Sequence, residues 1–293
     1  MMAIGFEIER KYVDIAGSRM SYLDTGSGEV IVLGHSYLWS AEMWIPQIQA
    51  LSRHYRVIVP ELWGHGQSAA MPAGTSDLQQ VAHHHLALLD ALGVKKFAIV
   101  GLSVGGMWGA ELALSQPERV TALALLGSYM GSEKVETRSR YFSILDTVAA
   151  LAAIPDQIVE GLLPLFFSPS SLRNRKALVE GFRTRLRQTD RQLLINTIIP
   201  LGRMIFARRD GLDDLRRLDK PAFVMTGEQD LSRPPEEGRL MAQILNCEFV
   251  ELPGAGHISS LEVPDLVTRH LLSFLAVALH PAAQQDSQRK HSI

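Results

Sequence analysis

Two kinds of segment alternate along most of the chain. Short runs that are apolar on both faces are typical of buried parallel strands, and longer segments between them space their apolar residues as helices do. The short runs are residues 30–33, 56–59, 97–100, 121–126, 222–225 and 248–251, and the helical segments are residues 41–52, 77–92, 104–116, 236–245 and 264–278. This alternation predicts an α/β fold whose mostly parallel sheet is covered on both faces.

The two ends of the chain depart from this pattern. Residues 11–15 and 19–23 flank Gly17 and predict an antiparallel hairpin that opens the sheet. Residues 281–293 are polar and lack any periodicity, which predicts a flexible tail.

A long internal stretch also lacks strands. Residues 131–215 contain helical segments and prolines, and they are too many for a connection inside a compact domain unless they fold on their own. We therefore predict a helical cap at residues 131–215. It separates two parts of the core, residues 1–130 and residues 216–280.

A candidate nucleophile lies in the sequence Gly-Leu-Ser-Val-Gly at positions 101–105. The pattern G-x-S-x-G is a weak signal alone, but here a predicted strand precedes it and a predicted helix follows. That setting forces a serine into a strained turn with its hydroxyl exposed above the sheet. Gly101 and Gly105 are expected because side chains there would collide inside the turn. We predict Ser103 as the nucleophile; the alternative is a buried serine in an ordinary connection.

A serine hydroxyl needs a neighbouring base to accept its proton. Of the ten histidines, His257 follows a late predicted strand through a glycine-containing loop, which can carry it over the edge of the sheet. A carboxylate is expected at the end of the preceding strand, and Asp230 stands 27 residues before His257. Glu228 is the nearest competing carboxylate, and we expect its side chain to point elsewhere.

The other histidines and the cysteine carry weaker signals. His83, His84 and His85 resemble a metal-binding tract, but adjacent helical positions point about 100° apart, so these three are expected to be partly solvated helix residues. His65 follows a predicted strand and is expected to brace its loop. Cys247 is the one cysteine, so no zinc site is predicted. No glycine-rich phosphate fingerprint is present, and no metal, nucleotide or flavin cofactor is implied.

Acyl chemistry at Ser103 would need two donors for a developing oxyanion. The amide of Val104, which follows the nucleophile, is one, and the loop after residues 30–33 is expected to supply the other. In that loop His35, Ser36 and Trp39 are expected to contact substrate.

Several motifs together resemble the α/β-hydrolase fold family. His-Ser-Tyr at positions 35–37 resembles the family's His-Gly-x oxyanion loop, and residues 59–68 resemble its D-x-x-G-x-G-x-S turn. Gly-Glu-Gln-Asp at positions 227–230 and Gly-His at positions 256–257 complete a set that appears in the family's order Ser, Asp, His. The resemblance covers nearly the whole chain apart from the cap and tail. It implies an eight-stranded sheet and a second oxyanion amide from Tyr37.

The chain departs from the family pattern at two positions. Ser36 stands where glycine is usual, which bears on the geometry of the oxyanion hole, and Glu61 stands where aspartate is usual, which bears on loop bracing. Residues 101–107 and 207–210 are similar to those of 3-oxoadipate enol-lactonases. Those enzymes often have Asn-Ser in place of His35-Ser36, so we regard them as near relatives, together with esterases and cofactor-free perhydrolases.

Composition limits the class of protein. The chain has 293 residues, of which 46% are hydrophobic and 20% are charged, as in ordinary globular proteins. A net charge of −2 gives no general attraction to nucleic acid or anionic membranes. The most apolar stretch, residues 144–167, is interrupted by charges and a proline, so no membrane span is predicted. A single cysteine and the lack of a secretory signal at the start favour a cytoplasmic location. The oligomeric state stays open.

The two halves of the predicted cap differ. Residues 141–167 are apolar and either line an acyl pocket or pack the interior of the cap. Residues 171–220 hold 13 Lys/Arg and 6 Asp/Glu, a balance of +7 against −9 elsewhere. These charges either solvate helix faces or form a basic rim that attracts an anionic substrate.

Together these features predict a hydrolase of small or medium carboxylic esters or lactones that works through an acyl-enzyme. Alternatives on the same three residues are carbon–carbon bond hydrolysis, acyl transfer and perhydrolysis. A weakly catalytic ligand-binding module is a further alternative from a different class.

Overall fold

One eight-stranded sheet forms the centre of the protein. The computed structural model describes residues 8–280, so the predicted tail at residues 281–293 lies outside the described residues. The strands are β1 (Arg10–Ile15), β2 (Ser18–Thr25), β3 (Val30–Gly34), β4 (Arg56–Pro60), β5 (Phe97–Leu102), β6 (Val120–Leu126), β7 (Ala222–Gly227) and β8 (Glu248–Leu252). Their order across the sheet is β1-β2-β4-β3-β5-β6-β7-β8. β1 and β2 form an antiparallel hairpin, β2 pairs antiparallel with β4, and the remaining pairs are parallel. The predicted mostly parallel sheet is confirmed.

The central strands are buried on both faces because helices cover each side. All six residues of β5 are buried, and consecutive side chains of a strand point to opposite faces. Ile99 accordingly packs into one hydrophobic layer and Val100 into the other. This two-sided burial explains why β5 reads in the sequence as a continuous apolar run and not as an alternating one.

Six helices of the core form the two covering layers. They are α1 (Ile45–Leu51), α2 (Leu78–Ala91), α3 (Val104–Ser115), α10 (Pro235–Leu245), α11 (Ser259–Glu262) and α12 (Pro264–Leu279). Helices α2, α3 and α10 contribute to one hydrophobic layer, and α1, α11 and α12 contribute to the other. Helix α2 begins with a side-chain cap, in which Asp77 accepts a hydrogen bond from the amide of Gln80.

Helices alone occupy the described chain between β6 and β7. They are α4 (Val135–Leu151), α5 (Asp156–Phe166), α6 (Pro169–Asn174), α7 (Lys176–Arg187), α8 (Arg191–Leu193) and α9 (Ile199–Phe206), with a π-helical segment at Leu194–Ile198 and a short 3-10 helix at Asp213–Arg217. The exact limits of a cap, at residues 131 and 215, stay a prediction. Within residues 8–280 we find no helix that combines the length and the apolar character needed to cross a bilayer.

The turn between β5 and α3 lies in close backbone contact with β3. A Cβ atom on Gly105 would fall inside the contact radius of the Gly34 carbonyl, and one on Gly101 would collide with the backbone of Gly105 and Gly106. The expectation that side chains are excluded at both positions is confirmed. Because backbone atoms form the obstacle, the collision cannot be relieved by a change of rotamer.

We expect Gly105→Ala to lower the free energy of unfolding by about 1–3 kcal/mol or more, as overpacking does. The matched control is Gly161→Ala in helix α5, where the added methyl group would meet no atom within 4 Å. That change should be neutral or stabilise the protein by up to about 1 kcal/mol. Urea unfolding of both variants measures the difference, and equal stabilities would contradict the close contact at Gly105.

Candidate active site

Ser103 occupies a strained turn at the junction of β5 and α3. Its φ of 58° and ψ of −124° lie where residues other than glycine are rarely found. Two hydrogen bonds hold the turn: the Ser103 amide donates to the Leu126 carbonyl at 2.9 Å, and the Ser128 hydroxyl donates to the Ser103 carbonyl at 2.8 Å. The strained serine between strand and helix has the local geometry of a nucleophile elbow.

Asp230 and His257 form a buried pair beside this turn. Asp230 follows β7 and His257 follows β8, and the distance between Asp230 Oδ2 and His257 Nδ1 is 2.8 Å. The other carboxylate oxygen, Oδ1, accepts the amide hydrogens of Ser232 at 2.9 Å and Arg233 at 2.8 Å. The carboxylate is therefore held on both sides. A proton on His257 Nδ1 leaves Nε2 bare and able to accept one.

Glu228, the competing carboxylate, is placed differently. Its side chain is exposed, and its Oε2 accepts the Gly254 amide at 2.8 Å. Asp230 is thus the carboxylate that contacts His257, and Glu228 braces the loop that leads toward the histidine.

One cavity brings the predicted site residues together. Ser103, His257, Ser36 and Tyr37 all line it. The amide of Val104 opens helix α3 and is one of the four N–H groups that a helix leaves without an internal acceptor. The arrangement therefore combines a serine and a histidine in a single cavity, beside a helix whose first amides have no acceptor within that helix.

Most of the remaining cavity wall is apolar. Nine lining side chains come from residues 141–166, including Leu145, Ile158 and Phe166. The apolar half of the predicted cap therefore lines a pocket, although Val159 and Leu163 pack into a hydrophobic layer instead. The cavity also includes Ile198 and Arg233, which the sequence patterns did not single out because neither belongs to a local motif.

None of the 13 Lys/Arg of residues 171–220 lines this cavity. Several of them face carboxylates instead: Arg183 pairs with Glu160 and Glu180, and Arg187 pairs with Asp156. The hypothesis of a basic rim at the cavity thus finds no support. Arg183 and Arg187 belong to solvated, ion-paired helix faces, whereas Arg208 is buried and paired with Glu133. Arg233 does reach the cavity wall, but its guanidinium is paired with Glu133 and Glu237.

Two residues that were expected to contact substrate lie outside the lining of this cavity. The side chain of His35 is completely buried, and both of its ring nitrogens bond to the backbone. Trp39 is also buried, with its ring stacked on Phe182 at a centroid distance of 4.7 Å. Of the three expected contacts, Ser36 alone lines the cavity. His35 is turned away from the cavity because its ring bonds to the backbone of Ser36 and Leu62, and Trp39 because its ring packs against Phe167 and Phe182.

Glu61 braces its loop, as the sequence suggested. Its carboxylate accepts hydrogen bonds from the Ser21 hydroxyl at 2.6 Å and the Gln67 amide at 2.9 Å, and it is paired with Arg10. Burial by itself raises the pKa of Glu61, but the hydrogen bonds from Arg10, Ser21 and Gln67 outweigh it, so the net pKa is lowered. The glutamate therefore stays ionised at the base of the loop.

The expectation of three partly solvated histidines is wrong for His85. This residue is buried, and its ring stacks on Trp108 at a centroid distance of 4.1 Å. His85 lies four residues after Val81 and four before Leu89 on helix α2, so it shares the apolar face of that helix. The 3.6-residue period of a helix, applied to the sequence, places His85 on this buried face.

The comparisons with known proteins agree with this geometry. The family described as "alpha/beta hydrolase fold" matches residues 29–264, so the chain belongs to the α/β-hydrolase fold family. It is 29% identical to the dihydrolipoyllysine-residue acetyltransferase component of the acetoin cleaving system of Pseudomonas putida, over 89% of this chain and 68% of that protein. It is 27% identical to 3-oxoadipate enol-lactonase 1 of Acinetobacter baylyi, over 80% of this chain and 84% of that protein. A thermophilic esterase from Thermogutta terrifontis superposes with a TM-score of 0.83 at 26% identity, covering 92% of this chain and 99% of that one. The predicted fold class is confirmed, whereas these relatives are named for different reactions.

Buried neutral histidines should make stability depend on pH. Burial, aided by the neighbouring His65, lowers the pKa of His35 to about 3, and burial lowers the pKa of His65 and His85 to about 4. An unfolded histidine titrates near 6.5. Between pH 6.5 and about 4 the unfolded chain therefore binds protons that the native protein does not bind. The free energy of unfolding accordingly falls as the pH falls.

We expect His85→Leu to flatten this dependence by up to about 1.4 kcal/mol per pH unit, the value of one proton. Urea unfolding at several pH values between about 6.5 and 4.5 measures the slope for wild type and variant. An identical slope in both would contradict a neutral, buried His85.

Proposed function

We propose that the protein is a serine hydrolase of small or medium carboxylic esters or lactones, with Ser103 as nucleophile, His257 as general base and Asp230 as its orienting acid. The observation that supports this most strongly is that the strained Ser103 shares a cavity with His257, while His257 Nδ1 lies 2.8 Å from the buried Asp230. Roles of this kind are recognised by geometry and not by chain position.

The reaction begins when Ser103 Oγ attacks the substrate carbonyl carbon and its proton passes to His257 Nε2. The carbonyl oxygen becomes an oxyanion, which accepts hydrogen bonds from the amides of Val104 and Tyr37. Collapse of this intermediate breaks the bond to the leaving oxygen, which takes the proton from His257. Water then attacks the acyl-enzyme with His257 again as base, and the acid is released.

Asp230 acts through His257. One carboxylate oxygen binds Nδ1 and the other is held by two backbone amides, so the carboxylate cannot rotate away. It keeps His257 in the tautomer whose Nε2 is bare, and it stabilises the imidazolium that forms.

The lining of the cavity argues for an uncharged, apolar acyl group. Each buried methylene group contributes about 0.8 kcal/mol, and the cap side chains Leu145, Ile158 and Phe166 offer such contacts. Arg233, the one arginine among the described residues of the wall, is already paired with two carboxylates. An anionic acyl chain would therefore lose its hydration without gaining a free cation.

We expect p-nitrophenyl butyrate and hexanoate, or neutral lactones of similar size, to be cleaved faster than a succinyl half-ester of the same alcohol.

Ser103→Ala should lower kcat by about 10⁶ while the protein stays folded, because the nucleophile is lost. A fluorophosphonate probe should label the wild type and not the variant.

Each unfavourable result has a distinct meaning. Retained turnover in Ser103→Ala would contradict the assignment of the nucleophile. Labelling without cleavage of any ester or lactone would point to carbon–carbon bond hydrolysis, acyl transfer or perhydrolysis on the same residues. An unlabelled wild type would favour a ligand-binding module.

Asp230→Asn should lower kcat by about 10⁴, the loss that a wrong histidine tautomer causes in a related triad. The matched control is Glu228→Gln, two residues earlier in the same loop, which removes a carboxylate that bonds only to the Gly254 amide in the described structure. The control should retain most of the activity on the same activated ester. If Glu228→Gln is the inactive variant, the acid has been assigned to the wrong residue.

A further inference from the structure

Two buried histidines join the oxyanion loop, residues 35–38, to the turn formed by residues 61–68. From the oxyanion loop, His35 Nε2 accepts the amide hydrogen of Leu62 at 2.9 Å. From the turn, His65 Nε2 accepts the amide hydrogen of Leu38 at 3.0 Å. Each segment therefore supplies one imidazole that accepts a backbone hydrogen bond from the other segment. The two ring centroids lie 5.7 Å apart.

The second nitrogen of each ring bonds within its own segment. His35 Nδ1 lies 2.8 Å from the Ser36 carbonyl oxygen, and His65 Nδ1 lies 2.8 Å from the Trp63 carbonyl oxygen. A carbonyl oxygen can only accept and an amide N–H can only donate. Both rings must therefore be neutral, with the proton on Nδ1 and a bare Nε2.

One bond from each histidine falls on the two peptide planes that flank the Cα atom of Tyr37: His35 Nδ1 bonds to the Ser36 carbonyl, and His65 Nε2 accepts the Leu38 amide hydrogen. The Ser36 carbonyl and the Tyr37 amide belong to one planar trans peptide unit, so anchoring the oxygen aims the N–H in the opposite direction. The Leu38 amide belongs to the next unit. Leu38 itself has a φ of +65°, a conformation that is costly for a branched side chain and therefore needs such anchoring.

The Tyr37 side chain is held as well. Its ring centroid lies 5.6 Å from that of His65, and its hydroxyl donates to the Ile198 carbonyl at 2.7 Å. With both peptide planes and the side chain fixed, the Tyr37 amide has little freedom to reorient.

We propose that His35 and His65 are positioning residues for oxyanion stabilisation, because each anchors one of the two peptide planes at Tyr37 and so fixes its amide before the substrate arrives. This inference rests on the proposed function, since it matters only if an oxyanion develops beside Ser103. Donors that are oriented in advance need no reorganisation during the reaction, and the loss of one costs about 10²–10³ in kcat.

The test compares two substitutions at His65. Asparagine keeps an amide near the Nδ1 position but has no acceptor where Nε2 stood, whereas the carboxamide oxygen of glutamine reaches that position. We expect His65→Asn to lower kcat by at least about tenfold, a fraction of the loss of a whole donor, while KM changes little. His65→Gln should recover most of the activity. Affinity for an alkyl boronic acid, which adds to the serine as a tetrahedral anion, should fall in parallel with kcat.

His84→Leu is the matched control. His84 Nδ1 accepts the indole N–H of Trp63 at 3.0 Å, so this variant also removes one histidine hydrogen bond to the 61–68 turn, from the side of helix α2. It should lower the Tm without changing kcat or boronic acid affinity. An equal loss of kcat in His84→Leu and His65→Asn would overturn the proposal, as would full activity in a folded His65→Asn.

A measurement on the wild type covers the case in which His65→Asn does not fold. Nitrogen-15 NMR of labelled histidine at neutral pH should show the Nδ1–H tautomer for both His35 and His65, and an Nε2–H tautomer at either ring would overturn the proposal. A wild type that cleaves no ester and takes up no fluorophosphonate would instead defeat the proposed function, and this inference with it.

Discussion

The candidate site depends on the close approach of the β5–α3 turn to strand β3. Backbone contacts between Gly105 and Gly34 leave no space for a side chain, and they hold Ser103 at its unfavourable φ of 58°. Because β3 and β5 are parallel neighbours, the same contact brings the oxyanion loop next to the serine. A strained residue persists only where its surroundings determine it strongly, and here two adjacent strands and a helix do so.

Backbone groups satisfy most of the polar atoms around this turn. Asp230 is bound by two amides, and the rings of His35 and His65 bond to main-chain atoms on both sides. Main-chain partners are set by the fold and cannot change rotamer. The arrangement is therefore rigid before any substrate binds, which is the condition for strong electrostatic stabilisation of a transition state.

The helices between β6 and β7 form much of the wall of the candidate site. They contribute apolar side chains to the cavity wall, and they meet the core through specific polar contacts. The Tyr37 hydroxyl bonds to Ile198, and the buried Glu133 binds both Arg208 and Arg233. Since a fold does not define a substrate, the composition of this wall is the main guide to the substrate of the proposed reaction.

The sequence alone determined the strand order along the chain, the turn at Ser103 and the separation of Asp230 from Glu228 as candidates, because these follow from local periodicity and from short motifs. Tertiary structure decided which side chains share a surface. It turned His35 and Trp39 into the core and brought Arg233 and Ile198 to the cavity. It also paired Arg183 and Arg187 with Glu160 and Asp156, carboxylates that lie more than 20 residues away in the chain. Such neighbours are separated by many residues in the chain, and their contacts depend on how helices pack against the sheet. Local sequence patterns carry no direct record of that packing.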